Sequence, residues 1–469
     1  KITNAITKMI CEDVQPFSMV EDKGFVGLLQ LLEPRYKIPS RSTFSRAILP
    51  NTFQKSKIIL RKEIETSISK ISLTADLWTS CQTESYLATT AHFISEEGVV
   101  ITKLLALHNS VERNTAAYIS EAISSKIISE IKDMSKVFAL VTDNAKSIIN
   151  ATDLLKLHHH PCVAHTLNLV VGDSLKIQRS VCDMLQISKN LATLLHRSTI
   201  AAATLHKAQA NLGMAEHGIP QAIVTRWNSS LHMLQALLKQ KNVLTYIAQE
   251  QSTIRAITYN HWDIMASLVR LLEPFDEVTK LVSGHDSSIG QIIPLIYGLQ
   301  KVLSETDAPG VGSISTQLLH GLRSRFGVLT SNNFYKAATV LDPRYKAKFL
   351  PEPDTANVVA FIRLHAETSL EKVTRSETLP MLSPNTSETV NGRSVLHLIQ
   401  TMTSSDHLEH DSNLDSLDIY MAENTTPMTS NPAKYWKSKL SEWPSLSRFA
   451  LTLIACPSTS VASERVFST

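Results

Sequence analysis

Residues 71–80 read ISLTADLWTS, and the texture of the chain changes there. The run is rich in β-forming residues. Two more follow it, YLATTAHFIS (86–95) and VVITKLLALH (99–108), set apart by the short polar stretches CQTES and EEG. Strand-like runs joined by such turns predict a three-strand antiparallel meander. A helical pattern comes next, NTAAYISEAISSKIISEIKD (114–133). Then VFALVTDNA (137–145) gives the continuous apolar run expected of a buried strand. AKSIINATDLL (145–155) is helical again.

The flanks are helical. Upstream, KITNAITKMICEDV has apolar residues at helical spacing, GFVGLLQLLEP is stopped by Pro34, and SRSTFSRAIL opens on Ser40 or Ser42 as an N-cap. NTFQKSKIILRKEIETSISK adds a Lys-rich helix. Downstream, helical patterns run from about 166 to 434. The stretch near 367–432, rich in Ser, Thr, Asn and Pro, reads as a disordered linker that holds one short amphipathic helix, LDSLDIYMAE. AKYWKSKLSEWPSLSRFALTLIAC (433–456) predicts one or two helices broken at Pro444. The expected division is a helical N-terminal unit (1–69), the first part of a sheet-containing core (70–165), a helical segment (166–434) and a C-terminal return (435–469).

The totals narrow the class. At 469 residues with 43% hydrophobic content, two or three domains are expected. The net charge of +3 and a pI near 8.5 neither demand nor exclude a nucleic-acid partner. Five cysteines, none spaced as C-x-x-C, argue against a disulfide framework and for a reducing compartment. No apolar run reaches the eighteen or so residues of a membrane span. The start has neither Met nor an apolar signal core, so the chain reads as a fragment.

Two acidic residues fall at strand ends, Asp76 in the first run and Asp143 in the fourth. If those strands are parallel neighbours, both carboxylates emerge at the edge where open α/β sheets place their active sites. Two carboxylates there repel each other unless a divalent cation lies between them. Oxygen-only donors select Mg²⁺ or Mn²⁺. A two-metal site polarises a phosphodiester and activates a water or a 3′-hydroxyl for in-line attack. The other reading is that strand-end aspartates form turns or caps, and Asp143 in TDNAKS also suits a cap on the next helix.

Seven stretches then occur in order: SLTADLWTS, LVTDNAKSI, PCVAHTLNLVV, TRWNSSLHML, LLEPFDEVTKLVS, ATVLDPRYK and ACPSTSVASERVFS. Together they closely resemble the hAT transposase superfamily, and more narrowly its domesticated relatives, the zinc-finger BED-domain proteins. QPFSMVEDKGFVGLLQLLEPRYKIPSRSTFS resembles the helical segment before the catalytic core of those proteins, so the likeness runs from about Gln15 to Ser468. It implies an RNase H-like core with a mixed sheet, interrupted by a large all-α insertion and preceded by a helical domain. It implies a DDE triad of Asp76, Asp143 and Glu464, serving as catalytic residues and as ligands of Mg²⁺ or Mn²⁺. The separations are 143 − 76 = 67 and 464 − 143 = 321 residues, and the helical stretch at 166–435 supplies the second gap.

Further expectations come with the resemblance. Cys162 and His165 form C-x-x-H, a recurring feature beside the family's active site that helps to position DNA or the core. On residues alone, a zinc site and a packed cysteine both stay open, and the zinc reading needs two more ligands. Arg226 and Trp227 lie where the family contacts DNA, Trp227 by stacking on a flipped base and Arg226 on phosphate. The alternative for Trp227 is a core aromatic. The basic residues Lys55, Lys57, Arg61, Lys62 and Lys70 suit either DNA or a solvated helix face, with Glu63 and Glu65 as partial partners. Asp342 before Pro343 suits a turn or cap. The region from about Tyr435 matches the first half of a C-terminal dimerisation domain. Trp436, Trp443, Leu446, Phe449, Leu453 and Ile454 would bury either against a second subunit or within the chain.

The function so implied is that of a nuclear, DNA-binding, dimerising protein derived from a hAT transposase, with ancestral metal-dependent cleavage and strand transfer. The alternative is a catalytically inactive transcription regulator or protein-interaction scaffold. Zinc is expected only in a BED finger outside this sequence.

Overall fold

The structure, a computed structural model, describes residues 1–110, 114–223, 226–250, 256–367, 394–403 and 415–466. Its centre is a five-stranded mixed sheet ordered β3-β2-β1-β4-β5. The strands are β1 (Ile71–Thr79), β2 (Ser85–Ile94), β3 (Val100–Ser110), β4 (Val137–Thr142) and β5 (His158–Pro161). β1, β2 and β3 form the antiparallel meander that the turn spacing predicts. β4 runs parallel beside β1, with Leu73 opposite Leu140 and Thr74 opposite Val141. Gly98 makes the β2–β3 turn possible: its φ is +76°, and a Cβ there would lie 2.9 Å from Lys437 Cβ.

Alternation on β1 divides the molecule into two layers. Ile71, Leu73 and Ala75 face one side and are buried with Ile64, Ile119, Ile123, Ile148 and Ala151. Those partners come from the helices Leu49–Glu65, Ala116–Lys126 and Lys146–Leu155. Ser72, Thr74 and Asp76 face the other side, a row continued across the sheet by Thr90 and His92 opposite Thr74 and Ser72. Ser72, Thr74, Thr90 and His92 are all buried, so this polar face needs partners from the elements that cover it. Ala139 and Val141 of β4 join the same large core as the helices that follow.

The helices between Val163 and Glu367 build most of that core. The longest, Tyr259–Val282, ends on Val282, whose carbonyl accepts hydrogen bonds from the hydroxyls of Ser287 (2.6 Å), Ser458 (2.9 Å) and Thr459 (3.3 Å). A helix end leaves its last carbonyls without intrahelical donors. Here Ser287, just past the helix, supplies one, and a loop almost 180 residues downstream supplies the other two.

The LDPRYK stretch is a fastener. The Asp342 carboxylate accepts from the Arg344 backbone N–H (3.1 Å) and pairs with its guanidinium at 2.6 and 2.9 Å. The buried Lys346 ammonium donates to the carbonyls of Tyr420 and Glu423 and lies 4.5 Å from the Tyr420 ring centroid. Trp436 Nε1 donates to Leu341 O (2.6 Å) and the Tyr420 hydroxyl to Val340 O (2.8 Å). The segment from Asp415 to Trp436 is thereby tied to the helical body.

Several expectations change. β5 was not foreseen: HHHP lacks β-branched and aromatic residues, and the strand exists because β4 offers an open edge to pair with. Of the expected linker, 368–393 and 404–414 lie outside the described residues; Val395–Thr403 is a helix not expected there, with Val395 and Ile399 buried, and Ser416–Ala422 is the short helix read in LDSLDIYMAE, with Leu417 and Tyr420 buried. Trp436, Trp443, Leu446, Phe449, Leu453 and Ile454 are all buried within the one chain, which decides between the two readings of those residues. The helix break at Pro444 is as read: helices span Pro432–Ser438 and Pro444–Ile454. Arg61 pairs not with Glu63 or Glu65 but with Glu130 (3.0 Å), as does Lys57 (2.7 Å). Among the described residues no helix is long and apolar enough to cross a membrane.

Two buried histidines give the fold an acid limit. Burial, with His285 nearby, holds His92 down at about 3. Burial, with His158 and His159 nearby, does the same to His160. The unfolded chain takes up these protons below the ordinary histidine value and the folded chain does not, so stability is complete above about pH 6.5 and falls as the pH drops toward 3. Urea unfolding between pH 7 and pH 4.5 should show that fall, and His92→Gln or His160→Gln should each lower the proton uptake on unfolding by about one.

Candidate active site

The polar face of β1 meets the end of the chain. Beyond the helix Pro444–Ile454, the stretch CPSTS leads into a short helix, Val461–Arg465, which packs on β1 and β2. Ser463 Oγ is hydrogen-bonded to Thr74 Oγ1. Arg465, on the other side of Glu464, donates to Ser283 O at 2.9 Å. The arginine thus serves the end of the long helix, while the charge of Glu464 acts on Asp76 in the sheet.

The three acidic residues come to one region. Asp76 lies two residues past Thr74 and Asp143 two past Val141, the pair opposite each other in the parallel β1–β4 ladder. Adjacent strands lie about 4.8 Å apart, and side chains of like parity share a face. Burial, then the charge of Glu464, then that of Asp143 push the Asp76 carboxyl up to about 7. The charge of a residue 388 positions away in sequence (464 − 76 = 388) thus reaches Asp76. One oxygen of Asp143 accepts from the Ala145 N–H at 3.0 Å, beside the start of the helix Lys146–Leu155. The turn reading and the cluster reading of Asp143 are compatible, because a carboxylate has acceptor sites to spare.

The donor set is all oxygen and crowded with negative charge, which suits Mg²⁺ or Mn²⁺. It is not a closed ligand cage: among the described residues, no three His, Cys, Asp or Glu side chains stand close enough to hold one ion. That also bears on the C-x-x-H pair. Cys162 is fully buried; its N–H donates to Thr142 O (2.7 Å) and its sulfur accepts from the Ser460 N–H (3.4 Å). Burial raises its thiol above the ordinary value. Val163 N–H donates to Ser458 O (3.0 Å), so Cys162 and Val163 hold the loop that precedes Glu464. Of the two readings left open by sequence, the packed cysteine is the one seen. His165 is half-buried one turn along the same helix.

Arg226 and Trp227 separate. Arg226 is exposed, whereas Trp227 is 6% exposed, edge-on to Phe275 with centroids 6.3 Å apart, and its N–H donates to Asn168 Oδ1 (3.1 Å). The ring occupies the core in this structure. Sequence reading passed over Trp78. It is the one exposed tryptophan of the five, at 39%, and has the parity of Asp76 on β1, with its ring 5.9 Å from that of Tyr86. The signal was available, since two residues along a strand return to the same face. His159 was also passed over. Its Nε2 is 2.9 Å from the Thr142 hydroxyl, and the charge of Asp143 acts on it.

Three family profiles match in chain order. The ZBED1 RNase-like domain covers residues 74–168, the ZBED1 RNase-like helical domain 160–271 and the hAT family C-terminal dimerisation region 416–469. Human zinc finger BED domain-containing protein 4 is 28% identical over the whole chain, and human zinc finger BED domain-containing protein 6 is 24% identical over the whole chain. The putative AC transposase of Zea mays is 24% identical over 97% of it. The chain spans 41%, 52% and 60% of those three relatives. The resemblance to hAT transposases and zinc-finger BED-domain proteins therefore extends along the sequence, and the sheet belongs to an RNase-like domain.

The raised Asp76 carboxyl has a measurable sign. Between about pH 4 and pH 7 the folded chain holds a proton that the unfolded chain has lost, so this group's contribution is full below about pH 4 and is lost as the pH rises through about 7. Asp76→Asn should therefore stabilise the chain at pH 8, by about 1–3 kcal/mol, and do much less at pH 5. Paired denaturant titrations at the two pH values check this. Trp227→Ala should cost about 3–5 kcal/mol of stability, as loss of a core aromatic does.

Proposed function

We propose that this chain is the core of a nuclear protein derived from a hAT transposase, which acts on DNA through a carboxylate triad of Asp76, Asp143 and Glu464. One observation carries the reading: the charges of Glu464 and Asp143 act on the half-buried Asp76, which lies within β1 two residues past its parallel pairing with β4, beside the end of β4 that Asp143 follows. Side chains so separated in sequence meet there for a reason, and crowded carboxylates at that sheet edge are costly without a cation to share.

Asp76, Asp143 and Glu464 would have to draw closer together to hold Mg²⁺ or Mn²⁺, since among the described residues no three such side chains stand close enough for one ion. When bound, the ion supplies charge neutralisation at a scissile phosphate and lowers the pKa of an attacking hydroxyl. The residues of the chain do the rest. Asp143 is oriented by its bond to the Ala145 N–H. Glu464 is brought in between the anchors on either side of it. Arg226, exposed at the start of the helix Trp227–Lys239, is available to a DNA phosphate. Trp78, exposed beside Asp76, offers a face for a base, and Trp227 supports the helix behind Arg226 from the core. Dimerisation through the region beginning near residue 416 completes the reading, with a surface other than the aromatic residues already buried there.

A second reading keeps the scaffold and the DNA but not the chemistry, as in a transcription regulator or a protein-interaction scaffold. The open spacing of the three carboxylates favours it. The test is strand cleavage and hairpin formation on terminal inverted-repeat DNA with Mn²⁺, using the full-length protein. The catalytic reading expects cleavage that falls at least about a hundredfold in Asp143→Asn. Absence of wild-type cleavage, or cleavage unchanged by Asp143→Asn, would leave the regulator reading. Retained DNA binding in Asp143→Asn separates the two functions.

A further inference from the structure

We infer that Thr74 and Ser463 are positioning residues that set where Glu464 stands over the sheet. The inference rests on the reading of Glu464 as the third carboxylate. Its basis is a buried chain of side-chain hydrogen bonds. Ser463 Oγ meets Thr74 Oγ1, Thr74 Oγ1 meets Thr90 Oγ1, and Thr90 Oγ1 meets His92 Nε2 at 2.8 Å. His92 Nδ1 ends it on Thr102 Oγ1 at 3.1 Å. Ser463 and Thr74 are fully buried, and Thr90 and His92 are 2% and 3% exposed.

Four features make this an anchor for one residue and not general packing. The bond joins positions 389 apart in sequence, so nothing local enforces it. On the strand side it is made two residues before Asp76, on the face that Asp76 shares. On the other side it is made by the residue immediately before Glu464. The helix Val461–Arg465 has five residues, too few to hold its own place by helix formation. Its register on the sheet must come from tertiary bonds, and a hydroxyl pair fixes a point where apolar contact alone would let the helix slide. Arg465, bound to Ser283 O, prevents rotation about that point from the other side. The hydroxyls are buried, so each needs a partner. Moving Ser463 away would break its bond to Thr74, which would keep only Thr90, at a cost that keeps the short helix seated.

Groups that orient a metal's ligands typically change metal affinity by about 10–100-fold when removed. The test is Mn²⁺ alone, titrated into the chain by electron paramagnetic resonance, alongside hydrogen exchange of residues 461–466. Ser463→Ala and Thr74→Val should speed exchange in that segment and weaken Mn²⁺ by about tenfold or more. Thr74→Ser, which restores the hydroxyl, should return Mn²⁺ affinity to within about threefold of wild type. Ser463→Ala removes only the end of the chain of bonds, so it reads out even if Thr74→Val fails to fold. Unchanged exchange, or faster exchange with unchanged Mn²⁺ affinity in Ser463→Ala, overturns the inference. If wild type and Asp76→Asn alike bind no Mn²⁺, the triad reading itself falls and takes this inference with it. If wild type binds, Asp76→Asn does not, and Ser463→Ala binds as wild type, only the positioning role is lost.

Discussion

A hydroxyl buried at the centre of a sheet has to be answered. Thr74 is such a group: one partner is Thr90 on the next strand, and the other, Ser463, comes from the far end of the chain. Much of the architecture follows from that requirement. A strand with Ser72, Thr74 and Asp76 on one face cannot be covered by a plain apolar helix, because each polar atom would lose its water and gain nothing. It is covered instead by a segment rich in small hydroxyl residues, with Ser458, Thr459, Ser460 and Ser463 all buried. The composition of CPSTSVASER, odd for a core element, is what the sheet face demands.

The same segment binds two bodies together. On one side its backbone fixes it to the start of the helix after β5, with the Ser460 N–H on Cys162 Sγ and Ser458 O accepting from the Val163 N–H. On the other it closes the end of Tyr259–Val282, through the hydroxyls of Ser458 and Thr459 on Val282 O and the guanidinium of Arg465 on Ser283 O. A helix C-terminus carries partial negative charge, so an arginine there is favoured on its own account. Glu464 stands between these attachments. Its negative charge is placed near two other carboxylates only because the groups around it are committed elsewhere.

The sheet was largely legible before the fold was seen, and for definable reasons. Strand runs of β-forming residues with tight polar turns give β1, β2 and β3, and the apolar run at 137 gives β4. β5 was hidden because HHHP has no propensity of its own and exists by pairing. The helix Val395–Thr403 was obscured by the Ser- and Thr-rich composition around it, although Val395 and Ile399 are buried, whereas Ser416–Ala422 was legible in the amphipathic pattern of LDSLDIYMAE. The carboxylates could be picked out by strand-end position and by resemblance. Their mutual effect could not, since it depends on where a segment 321 residues after Asp143 comes to rest. Trp227 shows the limit of a motif: the sequence marks the residue, and only packing says that its ring faces Phe275. Cys162 is similar, for a C-x-x-H spacing does not reveal that the sulfur is already accepting from Ser460.

The capped helix has a mechanical side. Tyr259–Val282 has 24 residues, so as a rod it is about 36 Å long. Its far end lies well away from the carboxylates, and its near end is bonded to the loop that carries one of them. The helix is held along its whole length, from Trp262 through Leu268 and Phe275 to Val282, all buried in the helical core. A side chain exchanged at the far turn therefore shares one packed body with the loop that carries the acidic residue.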